Sequence, residues 1–114
     1  MVDVNNAYVN QVNHGIDAKE FFSTLPSGKI REIHLAGFED RDDYLIDAHN
    51  NRVAEPVWEL YEYLIDHCGE KPTLVEWDND IPAFEVLIDE ARRAGNIMAA
   101  GNREYSTIVR TASG

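Results

Sequence analysis

At 114 residues and 44% hydrophobic content, the chain is long enough for one domain with a real core and too short for two. Its net charge of -11 argues against an undifferentiated nucleic-acid surface, because phosphate binding needs concentrated positive charge. No apolar run approaches the roughly 20 residues that span a bilayer, no basic start leads into a secretory-type segment, and Cys68, the sole cysteine, excludes an internal disulfide or a cysteine-rich metal site. A cytoplasmic protein without membrane or nucleic-acid partners is the expectation.

In chain order, residues 2–6 (VDVNN) read as a short first strand, followed by a polar connection over residues 10–15. Asp17 caps the next helix, with Glu20 three residues on completing a capping arrangement, and Phe21, Phe22 and Leu25 turn inward before Pro26. Ser27–Gly28 is a turn. Residues 30–37 form the second strand, the acidic run 39–43 a solvated loop, and residues 44–49 the third strand. Glu55 and Pro56 open a helix whose apolar face carries Trp58, Tyr61, Leu64 and Ile65, and Gly69 marks its exit. Residues 73–78 are the fourth strand. Asp80 or Ile81 precedes Pro82 and a last helix, with Phe84, Leu87, Ile88 and Ala91 as its buried stripe and Gly95 as its cap.

Strand and helix alternate, which predicts a parallel sheet covered by helices. Four such strands make half of an eight-stranded barrel, with exposed edges and an uncovered inner face. That predicts a missing amino-terminal barrel half or a closely packed partner chain, a homodimer being one way to close it. Residues 1–100 form the partial barrel domain, and 101–114 a tail or short terminal element.

Three of the expected strands carry metal-capable side chains, and in parallel α/β folds active sites gather at the carboxyl ends of the strands. His34 lies on IREIHLAG, Asp47 and His49 on YLIDAH, and Glu76 on TLVEWD. Asp47 and His49, two apart on a strand, share a face and can approach one cation. Nitrogen and carboxylate donors together suit iron, zinc or manganese, and a bridging carboxylate can hold two metals about 3.5–4 Å apart. Asn5 and Asn6 end the first strand; asparagine pairs also form turns. His14 is a candidate ligand, base or substrate donor, and Arg52 either binds a substrate carboxylate or makes a surface ion pair. Cys68, at a helix end, and Trp58, between helix and sheet, read as structural. There is no glycine-rich phosphate loop, nucleophile elbow or zinc-finger spacing.

The strings DVNNAYVNQVNHG (3–15), EIHLAGF (32–38), IDAHNNRV (46–53), VWELY (57–61) and LVEWDNDIP (74–82) together resemble the carboxy-terminal half of a multinuclear iron-dependent TIM-barrel family. That family includes the iron oxidase of methanobactin biosynthesis and relatives acting on peptide cysteines. The resemblance runs from residue 2 to about residue 95. It implies an α/β fold, the carboxy-terminal half of a (β/α)8 barrel, with two or three irons at the strand ends. It implies His34, Asp47, His49 and Glu76 as metal ligands, and either Asn5 or Asn6 as an amide ligand. His14, in the family-like NHG segment, is implied near substrate or metal.

Members of that family work with a small partner protein that presents a cysteine-containing peptide, which they oxidise or rearrange with dioxygen. The first barrel half, which supplies further ligands, is absent from this sequence, so the expectation is an incomplete iron oxidase. Two other readings use the same residues: a metal-dependent isomerase or hydrolase of a small polar substrate, and a non-catalytic interaction fragment.

Overall fold

The computed structural model describes residues 1–78 and 81–101; Asp80 and the segment 102–114, and with them the expected tail and one expected helix cap, lie outside the described residues. The chain is α/β. Three parallel strands, β1 (Val2–Asp3), β2 (Ile33–Ala36) and β5 (Thr73–Glu76), pair in the order β1-β2-β5. Register sets Asp3, His34 and Leu74 side by side, and Ala36 beside Glu76. Helices α1 (Val4–His14), α2 (Ala18–Thr24), α3 (Glu55–Cys68) and α4 (Phe84–Gly101) flank this sheet, as in half of a (β/α)8 barrel.

Alternation along β2 explains the layering. Ile33 and Leu35 are fully buried in the core with α3, whose Val57, Trp58, Leu60, Tyr61, Leu64 and Ile65 make one buried stripe. Trp58 packs edge-on against Tyr61 at 6.0 Å. On β5 the fit is looser: Leu74 is 48% exposed, beside His34 in register. The inner face of the sheet is therefore open at Leu74, whereas His34 is half-buried and Ala36 buried on the same face. The Tyr61 hydroxyl lies 2.8 Å from Thr73 Oγ1, joining α3 to the start of β5. Tyr61→Phe, which keeps the ring and loses this bond, is expected to cost about 1 kcal/mol in urea unfolding.

Four expectations need correction. The segment 2–6 is not one strand: Asp3 ends β1 and its carboxylate accepts from the Asn6 N–H at 2.9 Å, so helix begins at Val4. The polar stretch 10–15 belongs to that helix, which stops at Gly15, φ 71°. The segment 44–49 is not the expected third strand of the parallel sheet. Its β4 (Leu45–Ile46) pairs antiparallel with β3 (Glu39–Asp40), across a turn in which Asp42 has φ 64°. Asn13 of α1 fastens this hairpin, bonding the N–H and carbonyl of Leu45 at 2.8 Å each.

The last correction concerns which residues are buried. Helix α4 runs through Gly95 to Gly101, and its buried positions are Glu90 and Ala94, whereas Phe84 is 71% exposed and Ile88 and Ala91 are exposed too. In α2, Phe22 is buried and Phe21 exposed. The buried face of α4 is therefore turned away from the expected stripe, to Glu90 and Ala94, with Ile97 and Met98 packed against the core.

Candidate metal centre

Above the β2–β5 pairing the two strands part, and the backbone of His49 enters between them. Its N–H donates to the Gly37 carbonyl at 3.1 Å, and its carbonyl accepts from the Asp78 N–H at 2.7 Å. His49 has φ 54°, the left-handed region, where a non-glycine residue is uncommon and is held by its surroundings. This conformation sets its imidazole among carboxylates: Nε2 is 2.9 Å from Asp47, and Nδ1 is 2.8 Å from Asp78 and 3.4 Å from Glu76.

Asp47 is gripped from α1. Asn5 Nδ2 donates to Asp47 Oδ1 and, at 3.1 Å, to the Gly37 carbonyl; Asn6 Nδ2 donates to Asp47 Oδ2 at 3.2 Å. The strand-to-helix switch at Asp3 therefore has a functional consequence, because the first turn of α1 presents both asparagines to Asp47. The two amides differ. Asn6 Oδ1 accepts from Asn10, whereas Asn5 Oδ1 is buried without a partner among the described residues. His34, one register level lower, bonds Glu76 through Nδ1. The Glu32 carboxylate stands 3.0 Å from His34 Nε2 but is misaligned, so this buried nitrogen lacks a hydrogen bond, as does Asn50 Oδ1.

Five of the seven residues singled out by sequence, Asn5, Asn6, Asp47, His49 and Glu76, thus share one network, and His34 joins it through Glu76. His14 does not come with them. It is exposed at the far end of α1, nine positions beyond Asn5, or about 13 Å along a helix rising 1.5 Å per residue.

Among the described residues, two groups have donor atoms within 4.8 Å of one another: Asp3, Asp47 and His49, and His49, Glu76 and Asp78. Asp3 and Asp78 were not expected as members. Asp78 had a signal, since it stands two residues after Glu76, the spacing that singled out Asp47 and His49. Asp3 is concealed by its capping role.

Five carboxylates (Asp3, Glu32, Asp47, Glu76, Asp78) meet two imidazoles here, so the cluster stays negative even with both imidazoles protonated. Burial pushes the Asp3 carboxyl up; the Asn6 N–H opposes this, and Asp47 and Glu76 add to it. Burial alone would lower His49, but the Asp78 bond and the fields of Asp47, Asp3 and Glu76 outweigh it and raise its pKa. A cation is the counter-charge this donor set suits, and buried polar atoms without partners are what a ligand would satisfy.

A family profile described as RiPP precursor modification enzyme MbnB/TglH/ChrH matches residues 1–99. The chain belongs to this family. Similar proteins include a UPF0276 protein of Acaryochloris marina, 48% identical over 82% of this chain and 34% of its own length. Others are one from an Anaeromyxobacter species (43%; 88% and 35%) and one from Rhizobium meliloti (42%; 96% and 38%). The chain spans little more than a third of the length of these relatives.

Proposed function

We propose that this chain is the carboxy-terminal part of an iron-dependent oxidase that modifies cysteine in a peptide. The observation that carries the reading is the pair of donor groups sharing His49. Asp3, Asp47 and His49 would hold one iron, and His49 or its carboxylate neighbours Glu76 and Asp78 a second, with His34 completing the shell beside Glu76. Of the two asparagines, Asn5 fits an amide-oxygen ligand better, because its Oδ1 has no other partner while that of Asn6 is taken.

Iron, when bound, supplies a redox-active Lewis-acidic centre; zinc and manganese suit the same donors, and zinc would supply only the acidity. What the chain itself contributes is orientation and charge. Asn5 and Asn6 fix the Asp47 carboxylate, and Asp47, Asp78 and Glu76 fix the ring of His49. Such outer contacts hold a ligand's tautomer and direction.

A peptide substrate is supported by the family description, which names precursor modification. The open inner face at Leu74 and the exposed Phe84 and Ile88 are where a further barrel half would pack, supplied by a longer chain or by a second copy; a small partner protein would then present the peptide. The test is anaerobic reconstitution with ferrous iron, with metal content and molar mass measured together. A full-length protein carrying this stretch should then change the mass of a cysteine peptide only when dioxygen is admitted. Iron binding without any oxygen-dependent mass change would leave a metal site and remove the oxidase. Turnover of a small polar substrate without oxygen would favour a hydrolase or isomerase.

A further inference from the structure

Glu90 is the only charged side chain that is buried among the described residues, 4% exposed on α4. Burial pushes its carboxyl up, with the Val53 N–H, Arg52 and Arg93 drawing it back. A leucine would fill the same space without that desolvation cost. What the carboxylate adds is a directional acceptor: Oε1 receives the Val53 N–H at 2.8 Å.

Val53 closes the segment that begins at His49. At its start this segment is pinned by the His49 bonds to Gly37 and Asp78, and in its middle the Asn51 carbonyl rests on Gly37. Its far end is buried at Val53 and tied to Glu90. The anchor is firm, because α4 is bound to the start of α3. Arg93, three residues after Glu90, grips both oxygens of Glu55 at 2.7 and 2.6 Å and lies 4.8 Å from the Trp58 ring. A left-handed histidine backbone needs such restraint from both sides.

We infer that Glu90 is a positioning residue for His49: through Val53 it holds residues 49–53 so that the His49 imidazole faces both groups of carboxylates. The inference rests on reading His49 as the shared metal ligand. The competing role for Glu90 is local, to steady the start of α3, whose N-cap Ala54 offers no side-chain bond.

Amide hydrogen exchange on the whole metal-free chain separates the two roles. Glu90→Leu keeps the volume and drops the acceptor; Glu90→Gln keeps an acceptor oxygen. Losing the acceptor of this bond should speed exchange at the His49 and Asp78 N–H by about ten-fold in Glu90→Leu, with Leu35 and Val75 unchanged. Glu90→Gln should match the parent chain. Unchanged exchange at His49, loosening confined to the first turn of α3, or Glu90→Gln behaving as Glu90→Leu would overturn the inference. Should Glu90→Leu not fold, Glu90→Asp, which withdraws the acceptor by one methylene, takes its place with the same readings. Ferrous iron alone, titrated anaerobically, should bind Glu90→Leu about ten-fold more weakly than the parent, the range typical of lost outer-shell support. If the parent binds no iron while the exchange pattern holds, the metal reading fails and the positioning role stands.

Discussion

Replacing His49 with alanine is expected to lower ferrous-iron affinity by more than about 100-fold, beyond the loss usual for an outer-shell partner. The reason is topological: among the described residues His49 is common to both donor groups, so its removal takes the nitrogen donor from one and the ring that orients the carboxylates of the other. Alanine is less common than histidine in the left-handed region, so His49→Ala should also lose some fold stability, and iron affinity is compared at a temperature where both proteins are folded. Cys68→Ala is the control. Cys68 is half-buried at the end of α3, burial pushes its thiol up, and its Sγ contact is with the Gly69 carbonyl. Its removal should leave iron affinity unchanged. Equal loading of the two variants, both folded, would defeat the assignment.

The pH dependence carries a sign that can be checked on the same proteins. His49 has a raised folded pKa, so its protonated form favours the folded, metal-free chain. That contribution is fully present below about 6.5, the unperturbed value, and is lost as pH rises through the folded value. The stability difference between parent and His49→Ala should accordingly be greater at pH 6 than at pH 9. Iron affinity of the parent should move the other way and strengthen with rising pH, because the ligating imidazole must be neutral.

How far the sequence reaches is clearest at particular residues. Helices α2 and α3 are readable because their signals are local: Asp17 caps through its side chain, and Pro56 and Gly69 stand at the ends of a 3.6-residue apolar stripe. Strands β2 and β5 are readable as apolar runs. The pairing of Asp47 with His49 is also visible, but for a reason only half right. They were expected together as neighbours on one face of a strand, whereas His49 is left-handed and reaches Asp47 by folding back.

What local pattern does not encode is the long-range part. Nothing near Asp3 shows that it will end a strand and cap a helix in one residue, and that switch is what brings Asn5 to Asp47. Nor does the amphipathic pattern of α4 say whether the cover for Phe84 lies within the same chain. Glu90 escapes notice for the same reason, as one more charge on a helix until the Val53 N–H meets it from 37 residues away.

Gly37→Ala is expected to be strongly destabilising, because Gly37 is the one of five described glycines whose Cβ would meet backbone atoms. A Cβ at Gly37 would overlap the Asn51 carbonyl and stand 2.7 Å from the Arg52 carbonyl oxygen. These are backbone atoms, so no side-chain rotation relieves the clash, and either β2 or the 49–53 segment must shift. The Gly37 carbonyl also accepts from His49 N–H and Asn5 Nδ2, both at 3.1 Å, so any shift is transmitted to the site. Overpacking of this kind costs about 3 kcal/mol or more where the neighbours cannot yield. Against a typical stability of about 5–15 kcal/mol, that is a large fraction and lowers the urea midpoint accordingly. Gly95→Ala supplies the contrast. Gly95 lies inside α4 with open space where its Cβ would go, so alanine there should stabilise by about 0.5–1 kcal/mol through helix propensity alone. Opposite signs for the same chemical change would show that Gly37 is required for the close approach of two backbones, the contact that seats His49 between β2 and β5. A Gly37→Ala chain as stable as the parent would mean that the 49–53 segment is free to move away from β2, and with it His49.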